Sequence, residues 1–190
     1  MESTYILAAV LLLVALFIIY SYNRLVSMRN MADKAYSNID TLLQKRFDLV
    51  PNLVNTVKGY MEHEREVLES LTRARSEWLN ASSIKENAGA DQTGEKAIKT
   101  LFAVAENYPD LKANQNFMML QEELAGIENK IAYARQRYNR TVMALNTMIQ
   151  RFPTNLIARL FNFETREYFA VESERARSAP EINLQGGEEK

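Results

Sequence analysis

The sequence predicts an all-α protein, an N-terminal transmembrane helix that continues into an antiparallel, coiled-coil-like helical bundle. Three observations carry that expectation. An uncharged apolar run opens the chain, apolar residues recur at alternating three- and four-residue spacings over two long stretches, and only 6 Gly and 4 Pro interrupt 190 residues. Ala, Leu, Glu, Lys, Arg, Gln and Met, which lose least on entering a helix, are abundant. The length suits one span plus one domain of roughly 100–150 residues, with no room for a second large domain.

Residues 1–4 make a short leading segment and residues 5–22 the span. From Tyr5 to Tyr20 the run YILAAVLLLVALFIIY has no charge, Pro or Gly. As a helix its about 16 residues rise roughly 24 Å, and the flanking Ser, Thr and Tyr side chains extend it to the roughly 20 residues a bilayer requires. Leu12 and Phe17 then lie in hydrocarbon, and Tyr5, Tyr20 and Tyr22 among headgroups. A cleaved signal peptide is the rival reading, but Glu2 stands where a basic residue is usual and IIYSYN offers no small-x-small cleavage site. The other rival is a buried core helix. Arg24, Arg29 and Lys34 follow the span while no basic side chain precedes it, which places the N-terminus outside and the C-terminal domain in the cytoplasm.

Residues 23–170 form the bundle. Leu25, Met28, Ala32, Ala35, Ile39 and Leu42 make a heptad seam, so the anchor helix runs on into the domain. RFDLVP, residues 46–51, predicts a turn: the residue before Pro disfavours helix, and Asp48 can cap a new helix with Pro51 in its first turn. That second helix carries Val54, Val57, Met61, Leu68, Leu71 and Trp78 to about residue 82. The polar stretch SSIKENAGADQTG, residues 82–94, reads as a loop. A shorter helix over 95–107 bears Ile98, Leu101, Phe102 and Val104 and stops before Pro109. From Asn116 the seam Phe117, Leu120, Leu124, Ile127, Ile131, Ala134, Tyr138, Thr141, Leu145, Met148 and Phe152 keeps the spacing for about five heptads. Pro153 ends it, 155–160 can add one more turn, and the acidic, Gly-containing residues 171–190 read as a disordered tail.

If successive helices reverse direction, residues 153–170 finish near the bilayer. Two readings of LIARLFNF follow. Leu156, Arg159, Leu160, Phe161 and Phe163 could touch headgroups, with Arg166 nearby. Alternatively Leu156, Leu160, Phe161, Phe163 and Phe169 close the end of the core, the reading favoured by the general burial of large apolar side chains.

Chemistry-bearing constellations are scarce. A net charge of -1 gives no cationic field for nucleic acid, and the absence of Cys removes disulfides, thiolate catalysis and Cys-based zinc sites. His63 is the single imidazole; Glu62, Glu64 and Glu66 flank it, and Glu62 and Glu66 share a helix face that reads as solvated, not as a metal site. Gly89 to Lys96 imitates a phosphate loop up to Gly94, but Glu95 takes the place of the Lys and no hydroxyl follows Lys96. Asn80 and Asn139 sit in glycosylation-like triplets that decide nothing. Asn23, Asn52, Asn139 and Asn146, with Arg46 and Asp48, are polar residues beside the seams; they either set register or face water and cap helix ends.

The segments YNRLV from Tyr22, RFDLVPNLVNTVKGYMEHE from Arg46 and AENYPDLKANQNFMMLQEELAGIENKIAYARQRYN from Ala105 closely resemble the LemA family of bacterial membrane proteins. ALNTMIQRFPTNLIARLFNF and the Glu167-Tyr168-Phe169 segment fit it too, so the likeness covers residues 5 to about 170, with the 83–95 stretch and the tail not family-defining. The resemblance implies a bacterial inner-membrane protein with a short outside N-terminus and a cytoplasmic helical remainder, and no established catalytic activity or cofactor. A relative, the magnetosome protein MamQ, implies a part in shaping or organising membrane.

The functional expectation is a membrane-anchored helical scaffold, not an enzyme, that self-associates or organises protein partners on membrane lipids, with membrane shaping as a further option. Long seams offer packing surface, and the anchor raises effective concentration by confining molecules to two dimensions. The alternative is an adaptor that transmits a signal through the first helix to a cytoplasmic enzyme.

Overall fold

The structure, a computed structural model, describes residues 1–170, so the expected tail at 171–190 lies outside the described residues. Among the described residues there are six helices and no strand: α1 Glu2–Val57, α2 Arg65–Asn80, α3 Ile84–Ala105, α4 Pro109–Lys112, α5 Gln115–Gln150 and α6 Thr154–Leu160.

The turn expected at residues 46–51 is absent, because α1 passes through Pro51 and ends at Val57. Pro51 has no N–H, so the carbonyl of Phe47, one turn back, loses its helical donor. The Nε of Arg75 on α2 donates to that carbonyl instead, at 3.2 Å. Buried Phe47, Val50, Leu53 and Val57 hold both sides of the proline against the core. The chain reverses over residues 58–64, where buried Met61 plugs the corner, so Val54 and Val57 belong to α1 and the second helix begins at Arg65.

The loop expected over 82–94 is also overturned. Ser83 accepts from the Glu86 N–H while the Glu86 carboxylate reaches back to the Ser83 N–H, a capping box that starts α3 at Ile84. Backbone and hydroxyl donors of Ser82 and Ser83 hold the Glu86 carboxyl below the usual carboxylate range. The polar, small residues that resemble a loop are interior ones: Asn87, Ala88, Ala90, Asp91 and Gly94 are buried.

Contacts along the helices give the directions. Trp78 of α2 stacks on Phe47 at 5.2 Å, so α2 runs back beside α1. Asn87 donates to the Tyr36 hydroxyl and Tyr108, past the other end of α3, donates to Glu64, so α3 runs outward again. Phe117 of α5 meets Phe102 at the far end, Tyr138 meets Tyr36 midway, and Ile157 of α6 joins Leu25, so α5 returns toward the apolar N-terminal part of α1. The seams bury as a shared core, with one drift. Leu43 lies deeper than Leu42, and Val142 takes the place expected of Thr141, whose hydroxyl bonds back to the Arg137 carbonyl. A heptad pattern on a straight α-helix rotates by about 20° per repeat, so the buried stripe slips by one position. Phe152, last in the expected seam, is exposed.

Gly94 lets α3 approach α1 closely. A Cβ there would stand 3.0 Å from Cε1 and Cζ of Phe47 and 3.2 Å from Nη2 of Arg46. Phe47 is fully buried between Trp78 and Arg46 and has nowhere to move. Gly94→Ala is therefore expected to lower stability by about 1–2 kcal/mol despite alanine's better helix propensity. Thermal melts of the full chain in detergent check this, and an unchanged or raised midpoint would contradict it.

Candidate membrane-proximal site

Residues 2–20 of α1 emerge from the bundle with none of the apolar stretch buried, and this is the one described helix long and apolar enough to cross a membrane. Tyr5, Leu12, Phe17, Tyr20 and Tyr22 are all exposed. A core helix would have covered them, so the buried-helix reading falls; a stripe this large and apolar on a free surface is the mark of a membrane or protein contact.

At the foot of the bundle α6 seats Ile157 and Ala158 on Leu25, with Ile18 and Phe163 packed around them. Ile18 belongs to the apolar run itself, so this small cluster straddles the place where α1 leaves it. The helix ends in a left-handed cap: Asn162 takes φ 53, its N–H reaches the Arg159 carbonyl, and the Phe163 N–H reaches the Ala158 carbonyl at 2.8 Å. Asn tolerates that backbone region better than other side-chain-bearing residues. The cap turns Phe163 onto Tyr22 at 5.8 Å, beneath the Arg29 guanidinium, while Phe161 lies 4.8 Å from Tyr22. The expectation that the whole segment closes the core is thus corrected. Phe163 and buried Phe169 do pack inward, but Leu156, Leu160 and Phe161 are exposed, as is Arg159. A seven-residue helix has one inner side, and Ile157 and Ala158 fill it.

Residues 164–170 then climb α5 as an extended strap. Asn146 pairs with the backbone of Arg166, donating to its carbonyl and accepting from its N–H at 2.9 and 2.8 Å. Asn139 does the same for Phe169 at 3.0 and 2.8 Å, and the Tyr138 hydroxyl donates to the Glu167 carbonyl. Two helical turns between the amides span about 10.5 Å, and three extended residues span about 10 Å, so the two ladders match in register. Arg166 adds an ion pair with Asp33 of α1 at 2.6 Å. Asn23 and Asn52, grouped with these amides on sequence grounds, are exposed.

Midway along the bundle lies a buried ionic cluster. Arg46 donates to Asp91 Oδ1, to the Asp91 carbonyl at 3.1 Å and to Glu128 at 2.9 Å, while stacking over the Phe47 ring at 5.0 Å. The Arg46 and Asp91 side chains are 0% exposed. Arg135 closes the cluster at 2.5 Å from Asp91 Oδ2 and 3.6 Å from both Glu95 and Glu128. Burial pushes the Asp91 carboxyl up against the pull of Arg46 and Arg135. Burial would raise Glu95 too, but Lys99 and Arg135 hold it below the usual range. Every carboxylate here faces a guanidinium or ammonium, and the cluster brings in neither a hydroxyl nucleophile nor the imidazole, since His63 is exposed in the corner between α1 and α2. Among the described residues no group of three or more His, Asp or Glu side chains could hold a metal ion. Gly89 and Gly94 lie inside α3, where backbone N–H groups serve the helix and form no phosphate nest.

A family model described as the LemA family matches residues 35–184, well over half of the chain. The chain belongs to the LemA family. Magnetosome protein MamQ 2 of Paramagnetospirillum magneticum is 25% identical to it over 174 residues, covering 78% of this chain and 64% of the relative. Magnetosome protein MamQ of Magnetospirillum gryphiswaldense shows the same identity and coverage. Protein LemA of Metamycoplasma hominis is 27% identical over 137 residues, covering 72% of this chain and 63% of the relative. The chain thus spans just under two thirds of the length of these curated relatives. Family membership and the free apolar helix together make it a membrane-associated helical protein with one candidate N-terminal span. The LemA-like blocks of the sequence are also the ones that build the geometry above. RFDLVPNL holds Arg46, Phe47 and Pro51, the block from Ala105 supplies Glu128, Arg135 and Asn139, and the block from Ala144 supplies Asn146, α6 and its Asn162 cap. Asp91 and the Ser83 cap lie in the 83–95 stretch; for the cap, S-x-x-E was the legible signal, whereas nothing local announces Asp91 as the partner of Arg46.

Proposed function

We propose that this LemA-family chain is a membrane-anchored helical scaffold, without catalysis of its own, that self-associates or gathers protein partners on the inner membrane of a bacterium. Its N-terminus lies outside and its bundle in the cytoplasm. One observation carries the reading: α1 is unbroken from Glu2 to Val57, apolar and uncovered in its first part and packed into the bundle in the rest. At about 1.5 Å per residue α1 is a stiff rod roughly 84 Å long, of which the roughly 50 Å past residue 22 project from the bilayer into the bundle. Large apolar side chains of the bundle, among them Met31 of α1 and Tyr133 of α5, remain exposed and available to other copies or partners. The magnetosome proteins among the relatives support extending the role to organising or shaping membrane. The same unbroken helix is what a signal-transmitting adaptor would use, so subunit number separates the readings. Crosslinking in intact cells, followed by gentle detergent extraction and electron microscopy, is expected to yield particles well above one 21.8 kDa chain. Finding solely monomers, each paired with one enzyme, would overturn the scaffold in favour of the adaptor.

A further inference from the structure

We propose that α6 and its flanks are a second membrane contact, an amphipathic foot lying in the interfacial layer of the leaflet that α1 leaves. The proposal rests on reading the apolar run of α1 as inserted in the bilayer. Phe152, Leu156, Leu160 and Phe161 are 74%, 56%, 68% and 46% exposed, so four large apolar side chains within ten residues keep about half or more of their surface uncovered by the fold. The opposite side of α6 is anchored by Ile157 and Ala158, which keeps the foot from rolling to hide them.

Its position names the occupant. α6 packs against Ile18 and Leu25, and the rings of Phe161 and Phe163 meet that of Tyr22, two residues past the end of the apolar run at Tyr20. From Ile18 to Tyr22 a helix rises about 6 Å. That matches the roughly 5–10 Å depth at which an amphipathic helix beds between headgroups and acyl chains. Tyr20, Tyr22, Phe161 and Phe163 thus gather at one level, a collar of aromatic side chains of the kind that settles at the membrane interface, assembled from segments about 140 residues apart in sequence. Arg151 and Arg159, exposed on either side of Leu156 in the chain, meet lipid phosphates at that level, as Arg24 does from α1. A bilayer is continuous with the surface already covering the span, which a second protein chain is not.

The chain has no Cys, so spin labels can be placed singly in the full-length protein, reconstituted in nanodiscs of phosphatidylcholine and phosphatidylglycerol. Labels at Leu12→Cys, Phe152→Cys, Leu156→Cys and Met119→Cys are compared for collisions with oxygen, which concentrates in lipid, and with a water-soluble nickel chelate. The oxygen-to-nickel ratio at Phe152→Cys and Leu156→Cys is expected to exceed that at Met119→Cys several-fold and to fall below that at Leu12→Cys. Adding Leu160→Glu and Leu156→Glu is expected to return the Phe152→Cys label to the Met119→Cys value and leave Leu12→Cys unchanged. Three results would overturn the foot: a water-like ratio at Leu156→Cys while Leu12→Cys is in lipid; shielding from both probes with dipolar broadening between labels, which means a second copy covers the surface; or no response to the glutamates. A water-like Leu12→Cys would instead sink the span itself.

Discussion

Replacing Arg46 by alanine is expected to cost the bundle about 3–5 kcal/mol, the usual result of leaving a buried charge without its partner. For a chain of this size that lowers the melting midpoint by on the order of 10 °C. Arg46 is fully buried and serves Asp91 twice and Glu128 once, whereas Arg135, the other cation at Asp91, approaches at 2.5 Å in a line that makes no hydrogen bond. The loss should depend on pH with a definite sign. Burial already raises the Asp91 carboxyl above its ordinary value of 3.8, so the native state binds that proton more readily than the unfolded chain does. The penalty is absent below the ordinary value, grows as pH rises toward the raised folded value and is complete above it. Removing Arg46 raises the carboxyl further, so the gap between variant and parent is expected to narrow as the medium is acidified from neutral. Melts followed by circular dichroism at several pH values would show this, and a gap that widens toward acid would refute it. Arg46→Met combined with Asp91→Leu is expected to recover most of the stability, because Glu128 and Arg135 keep partial access to water and stand 3.6 Å apart.

Converting Asn139 and Asn146 together to alanine is expected to release residues 164–170 without melting the bundle. Four hydrogen bonds to the backbone of Arg166 and Phe169 disappear. At roughly 0.5–1.5 kcal/mol each, they amount to about 2–6 kcal/mol of local stability. Hydrogen exchange at the Arg166 and Phe169 amides should then speed up by roughly a hundred-fold, while amides of α1 and α5 around Ile39 and Ile131 keep their protection. Uniform acceleration throughout the bundle would show that the strap is part of the global core and not a separately held element.

In the helix through Pro51 and the helix over 82–94, tertiary contacts meet what the local sequence leaves unfavourable. Pro51 and the Gly-containing stretch 82–94 carry local signals against helix, worth up to a few kcal/mol; in both places a distant side chain offsets them, and over 82–94 the Ser83–Glu86 capping box adds to it. Arg75 satisfies the carbonyl that Pro51 orphans, and Phe47 with Arg46 demands a residue as small as Gly94 on the helix facing it. The chain's amides were visible as unusual, yet their role was not. Asn139 and Asn146 do not set the register of a helix pair; they hold an extended strap, and that match of spacings exists only once residues 164–170 lie along α5.

Sequence alone determined the apolar N-terminal run, the all-α class and the two long seams. These are properties of neighbours: hydrophobic periodicity within a helix is set by its own 3.6-residue repeat and needs no partner to be read. Tertiary structure decided where α1 ends, which carboxylate Arg46 meets, and which side of α6 stays uncovered at the level of Tyr22. Each of those depends on side chains tens to more than a hundred positions apart, whose encounter is fixed by how the helices pack and leaves no local trace in the order of residues.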